Sequence, residues 1–204
     1  MAKVSAPLLS FGASGAIAKV QVYFPWKGIN AVRKYVIPSN PKSDAQMDQR
    51  DLMTEAVAGI HEAMANPDAP INAVDKSAWS LLAAVQGIIM TWFNALTRMI
   101  INQRVAGKDW TIFGGFTVTP GTDKLTVTGF GIAYGTAAAT DGKLWYGTSK
   151  SAMLSSIACT VAELTAGKVI GTLTTGTKYY VQYRPTVPAN QTDSNSGIYA
   201  GTPT

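Results

Sequence analysis

The chain has 204 residues, 47% hydrophobic and 14% charged, which suits one large packed domain or two small ones. One cysteine and one histidine exclude an internal disulfide framework, a cysteine-rich zinc site and any catalytic triad that does not use His61. The net charge of +5 is uneven: residues 1–50 hold seven basic residues against two acidic ones, and residues 51–110 hold four against six. A basic segment faces nucleic acid, an anionic membrane or an acidic protein surface.

The opening MAKVSAPLLSFGASGAIA pairs Lys3 with an A-x-A-like end, as a secretory leader does. Its apolar run is broken by Ser10, Gly12, Ser14 and Gly15, which argues against one. GASGAIAK lacks the spacing of a phosphate-binding loop, and its lysine is not followed by Ser or Thr. In residues 14–24, Ile17, Val20, Val22 and Phe24 alternate with Lys19, Gln21 and Tyr23; residues 29–37 alternate less cleanly. Between them PWKG offers Pro25 for a fixed φ and Gly28 for a positive one. The pattern predicts a β-hairpin over 14–37, which must pack on its own helices or on a neighbouring chain. Lys19, Lys27, Arg33 and Lys34 interleave with Tyr23, Trp26 and Tyr35, a candidate partner-binding set. Basic and aromatic residues together also track phosphates and stack bases, so nucleic acid stays open as a partner beside an ordinary solvated strand face.

PSNPKSDAQ prepares a helix: Pro38 and Pro41 keep the chain extended, Ser43 suits the N-cap and Asp44 the first turn. The helix is expected over about 44–65, with Met53, Ala56, Val57, Ile60 and Met64 on one face. After NPDAP a second helix is expected from about 74 to 103, with an interruption possible at Gly87 and Gly107 ending it. Its segment Ala78 to Thr97 is uncharged and long enough to span a bilayer. Ser80, Gly87, Thr91, Asn94 and Arg98 place a narrow polar stripe along it, which favours burial in a protein assembly instead. Trp79, Leu82, Ile89, Trp92, Phe93, Leu96 and Ile100 are its candidate contacts, with its own core or with symmetry copies.

From about residue 111 the composition turns to Thr, Gly and Tyr, with turn residues every eight to twelve positions, the pattern of a small β-sandwich. Strands are expected at 125–134, 142–149, 153–161, 168–173 and 177–185, with a short final strand in SGIYAGTPT. The Gly- and Thr-rich stretch 108–120 reads as a linker, giving a module over 1–110 and a second over 111–204.

Chemistry is hard to place. HEAMA begins like a helical zinc motif but lacks the second histidine. Cys159 reads as a small buried apolar residue, and NQT at Asn190 as a chance glycosylation match. No catalytic residue, no cofactor-binding residue, no metal ligand and no cofactor is expected.

Two stretches carry resemblances. SGAIAKVQVYFPWKGINAVRKYVIPSNPKSDAQ resembles the N-terminal pattern of a group of small tailed-bacteriophage structural proteins. The matching positions are Ser14 and Gly15, Lys27 and Gly28, Val32 and Arg33, then Pro38, Asn40, Pro41, Ser43 and Gln46. VDKSAW, Val74 to Trp79, resembles the Asp-Lys-x-x-Trp that begins the group's next helix. LTTGTKYYVQYRP, Leu173 to Pro185, is similar to the Leu-x-Pro-Gly-Thr-x-Tyr-x-Val strand of fibronectin type III domains, with Thr175 where proline is usual. That resemblance makes Tyr179 the corner tyrosine and Trp145 a candidate core tryptophan.

The expected fold is therefore α+β: an N-terminal β-hairpin plus helical hairpin, then an all-β Ig-like (fibronectin type III-like) sandwich. The phage resemblance implies a non-enzymatic virion structural protein, assembled in the host cytoplasm, oligomeric, and partnered with a major capsid protein or with neck and tail proteins. Capsid decoration or cement is the first reading. A neck, tail or fibre component and a nucleic-acid-binding protein are the alternatives; no membrane partner is expected.

Overall fold

The computed structural model describes residues 2–3, 15–17, 19–37, 40, 42–68, 70–134 and 139–204. It is a mixed α+β structure, with strands and helices first and antiparallel sheets after them. Its contacts divide the chain after Ser43, into a unit at 1–43 and a unit at 44–204. This differs from the boundary expected near residue 110, because the helices share their core with the strands that follow them. Ser14, Pro38 and Pro41 of the phage-like pattern lie outside the described residues.

The first unit is a four-stranded antiparallel sheet of β1 (Ala2–Lys3), β2 (Gly15–Ile17), β3 (Gln21–Trp26) and β4 (Ile29–Lys34), ordered β1-β4-β3-β2. The expected hairpin is its centre, joined by the two-residue turn Lys27–Gly28. Both turn residues have positive φ, 50° and 77°, as a hairpin turn matching the strand twist requires. Pro25 is not in the turn but pairs with Asn30 in the ladder. That is tolerable because β2 pairs only with Gln21–Tyr23, so beyond it no described strand asks Pro25 for an N–H.

The second unit opens with α1 (Asp44–Ala65), at the expected bounds. Its buried face is Ala56, Gly59, Ile60 and Ala63; Met53 and Met64 are exposed, so the interior face lies toward the small residues. Gly59 is required there, since a Cβ at that position would come 2.4 Å from the Trp110 ring. The helix expected over 74–103 is broken at the interruption flagged at Gly87, into α2 (Ala73–Val85) and α3 (Trp92–Val105). Gly87 at φ 72° turns the chain, and Thr91 caps α3 by accepting from Asn94 N. Among the described residues no helix is long and apolar enough to cross a membrane.

The stretch expected as a linker is instead a twelve-residue strand. β5 (Trp110–Gly121) pairs with β6 (Lys124–Tyr134), which pairs with β9 (Lys168–Ile170). A second sheet has the order β11-β10-β7-β8, from β7 (Asp141–Gly147), β8 (Ser155–Thr160), β10 (Tyr179–Val187) and β11 (Tyr199–Gly201). A short helix, α4 (Val161–Ala166), follows β8, held by a capping box between Thr160 and Glu163. Phe116, Val127 and Ile170 of the first sheet and Leu144, Cys159, Val181 and Tyr183 of the second share one apolar cluster. A second cluster joins Ile60, Trp79, Leu96 and Ile100 of the helices to Trp110 and Ile112 at the start of β5. β5 therefore runs through both cores. Trp145 is only half-buried, with the Arg184 guanidinium 4.9 Å over its ring, and the interior aromatics of that sheet are Tyr183 and Tyr199.

Candidate partner-binding surfaces

In the N-terminal sheet, cross-strand register decides which candidate residues share a face. Val22 stands opposite Arg33, Phe24 opposite Ala31 and Trp26 opposite Ile29, so these six point the same way. Gln21 and Lys34, Tyr23 and Val32, and Pro25 and Asn30 make the other face. The predicted set is thus split: Trp26 and Arg33 on one side, Tyr23 and Lys34 on the other. Lys19 lies in the turn before β3, where Tyr35 N donates to Val20 O, so Lys19, Arg33, Lys34 and Tyr35 gather at one end of the ribbon. Lys27 sits in the opposite turn, about 20 Å away along six strand residues.

The Trp26 face is the unusual one. Trp26 is 56% exposed and Ile29 43%, and Val36 and Ile37 beyond β4 are more exposed still. Arg33 lies 5.4 Å over the Phe24 ring, a cation on an apolar strip. Residues 1–43 carry Lys3, Lys19, Lys27, Arg33, Lys34 and Lys42 and no acidic residue.

The helical candidates behave differently. Trp79, Leu96 and Ile100 are fully inside the unit's own core, and Leu82, Trp92 and Phe93 pack partly against it. Trp92 and Phe93 meet edge to face at 5.6 Å, and Lys76 Nζ sits 5.2 Å over the Trp92 ring. Ile89, in the turn between α2 and α3, is fully exposed and is the only one of the seven not engaged in the core. His61 is exposed, with its ring 6.1 Å from Phe93.

The residue that organises the helix–sheet junction is Asp75, which the sequence reading used only as a helix start. It is completely buried and is the third residue of α2. Its Oδ2 accepts from Asn72 N and Gly115 N, both at 2.9 Å, and its Oδ1 from Phe116 N at 3.2 Å and from the Tyr199 hydroxyl at 2.8 Å. Gly115 and Phe116 lie where the β5–β6 register shifts, so the carboxyl group satisfies two donors that the bulge takes out of the ladder. The Tyr199 ring stacks on Phe116 with centroids 4.4 Å apart, and burial beside Asp75 raises its hydroxyl pKa well above 10.0. Close by, Ile198 N donates to Ala78 O, and a Cβ on Gly197 would come 2.8 Å from the Ala78 backbone. The signal available in the sequence was Asn72 followed three residues later by Asp75, a capping-box spacing. Nothing local announced the strand bulge and the tyrosine.

No group of three or more acidic, His or Cys residues is placed to hold a metal ion among the described residues. Cys159 is buried, and burial, opposed by Lys168 and aided by Glu163, pushes its thiol up to about 11. That is the opposite of a nucleophile's environment. Comparison with family models, with curated proteins and with solved structures finds no match to this chain.

Proposed function

We propose that this chain is a non-enzymatic structural protein of a tailed bacteriophage virion, a capsid decoration or cement protein anchored through its N-terminal unit. The observation that carries the reading is the character of residues 1–43. They form a unit separate from the body, basic throughout, with Trp26 and Ile29 exposed on a sheet too small to bury them. Such a sheet is complementary to an acidic surface with an apolar groove, and its two- and three-residue outer strands leave room for strand addition by a neighbour. The anchor is thus the unit at 1–43 and not the whole of 1–110, since the helices are committed to the other core.

We also read the C-terminal sheets as an Ig-like sandwich of the fibronectin type III kind. Numbered from β5, the seven strands fall as first-second-fifth and seventh-sixth-third-fourth, the arrangement in which the fourth strand joins the sheet of the third, sixth and seventh. Tyr179, near the start of β10, accepts a hydrogen bond from Thr174 N at 3.1 Å, the back-bond of a corner tyrosine.

The test is co-sedimentation with phage particles that lack the protein, beside a DNA-binding assay, for the native chain and for Lys27→Ala/Arg33→Ala/Lys34→Ala. Particle binding that weakens tenfold or more in the variant, without DNA affinity in either protein, is the expected result. Salt-dependent DNA binding lost in the variant, with no particle binding, would establish the nucleic-acid reading instead.

A further inference from the structure

The helices and the loop before β11 enclose a cleft of about 390 Å³ that neither the core nor the anchor explains. It lies between α2, α3 and the segment around Asp193 and Asn195, and its size falls within the range of small-molecule sites. Among the described residues, three buried side-chain atoms have no hydrogen-bond partner: Trp79 Nε1, Gln103 Oε1 and Asn195 Oδ1. All three belong to residues that line this one cleft. Trp79 and Gln103 are 1% and 3% exposed, and a buried polar group without a partner destabilises the fold unless something bonds to it. The Gln103 Nε2 reaches only Ser194 Oγ, at 3.5 Å, so turning the amide over would exchange an orphan acceptor for an orphan donor.

The wall chemistry selects a ligand class. Gln86 and Asn102 add two exposed side-chain amides to those of Gln103 and Asn195, so four groups that each donate and accept converge on the space. Arg98 brings one exposed guanidinium to the wall, but an anion seated deeper in the cleft would meet the two orphan carbonyl oxygens of Gln103 and Asn195. An extended peptide fits poorly too, because the long walls are helices whose backbone groups already bond internally. A hydroxyl both donates and accepts, so vicinal hydroxyls match paired amides, while Leu82 and Met99 offer apolar surface to C–H groups. Asp193 is held by Lys108, leaving the cleft without a free carboxylate from that loop.

We propose that the cleft between α2, α3 and the 193–195 loop binds a neutral polyhydroxyl ligand, one or two sugar residues in size, through Trp79, Gln103 and Asn195. This does not rest on the virion reading and would hold for the same fold in any assembly.

The experiment is an NMR titration of the full chain with glucose, galactose and N-acetylglucosamine, read at the Trp79 indole N–H and the Gln103 and Asn195 side-chain amides. At least one sugar is expected to shift all three signals saturably, with a Kd of roughly 1–10 mM. Ala95→Phe, which fills the cleft, and Asn102→Ala, which removes an exposed amide without disturbing the core, should each weaken binding by tenfold or more. Shifts that persist in both variants would overturn the proposal, as would the absence of a saturable response to any of the three sugars. Saturable binding of N-acetyl-leucine amide in place of the sugars would also overturn it, and would make the cleft a peptide site.

Discussion

Asp75 shows how much one side chain can hold. It closes the N-terminus of α2, receives the two amides released by the β5 bulge, and accepts from the hydroxyl of Tyr199. Asp75→Ala leaves three backbone donors and a phenol without their partner, all of them buried or half-buried. The expected loss is about 3 kcal/mol or more in urea unfolding; a loss below about 1 kcal/mol would mean that water replaces the carboxyl group. Burial also sets the response to alkali. The folded-state pKa of Cys159 is raised from 9.0 to about 11, and that of Tyr199 lies well above its ordinary 10.0. A group raised in the folded state keeps its proton where the unfolded chain releases it, so its stabilising share is complete below the unfolded pKa and is lost as pH rises. These groups leave the urea midpoint flat up to about pH 9 and pull it down steadily toward about pH 11. A midpoint that rises between about pH 9 and about pH 10.5 would contradict the burial of these residues.

At the scale of elements, the periodic segments were legible and the punctuated ones were not. α1 begins and ends where Asp44 and the following NPDAP place it, because a long amphipathic run between clear boundaries has one reading. β5 was hidden because Gly114, Gly115, Pro120 and Gly121 look like a linker; in the fold Gly115 has φ 65° within the bulge, and Pro120 and Gly121 sit near the turn into β6. α4 is only six residues long, and its capping box Thr160–Glu163 and the closing Gly167 were its sole local signals. The apolar stretch from 78 to 101 misled for a different reason. Its hydrophobicity reflects a helix–turn–helix packed on β5, and only Gly87 and Thr91 marked the break. The consequence for partner contacts is sharp. Leu96→Ala removes a fully buried side chain and should cost about 2–5 kcal/mol. Ile89→Ser, in the exposed turn, should change stability by no more than about 0.5 kcal/mol, and any effect on self-association would then be direct. A loss at Ile89 comparable to that at Leu96 would show that the turn is buried in solution.

At the scale of the molecule, the division after Ser43 separates two units of different make-up. The body has the interior to stand alone, with apolar clusters on both sides of β5 and a buried polar junction at Asp75. The N-terminal sheet has charge and an exposed Trp26 but little core, which is the basis for proposing that it docks on a partner. The basic excess of residues 1–50 marked the segment, but the turn to Thr and Gly near residue 110 suggested a later boundary, whereas packing divides the chain after Ser43. The most direct test is the mass of the purified protein and its copy number on phage particles that lack it. The account predicts a closed oligomer that saturates heads at on the order of hundreds of copies, with attachment weakened by the triple substitution in the hairpin. A monomer that ignores the particles and binds only DNA would contradict it.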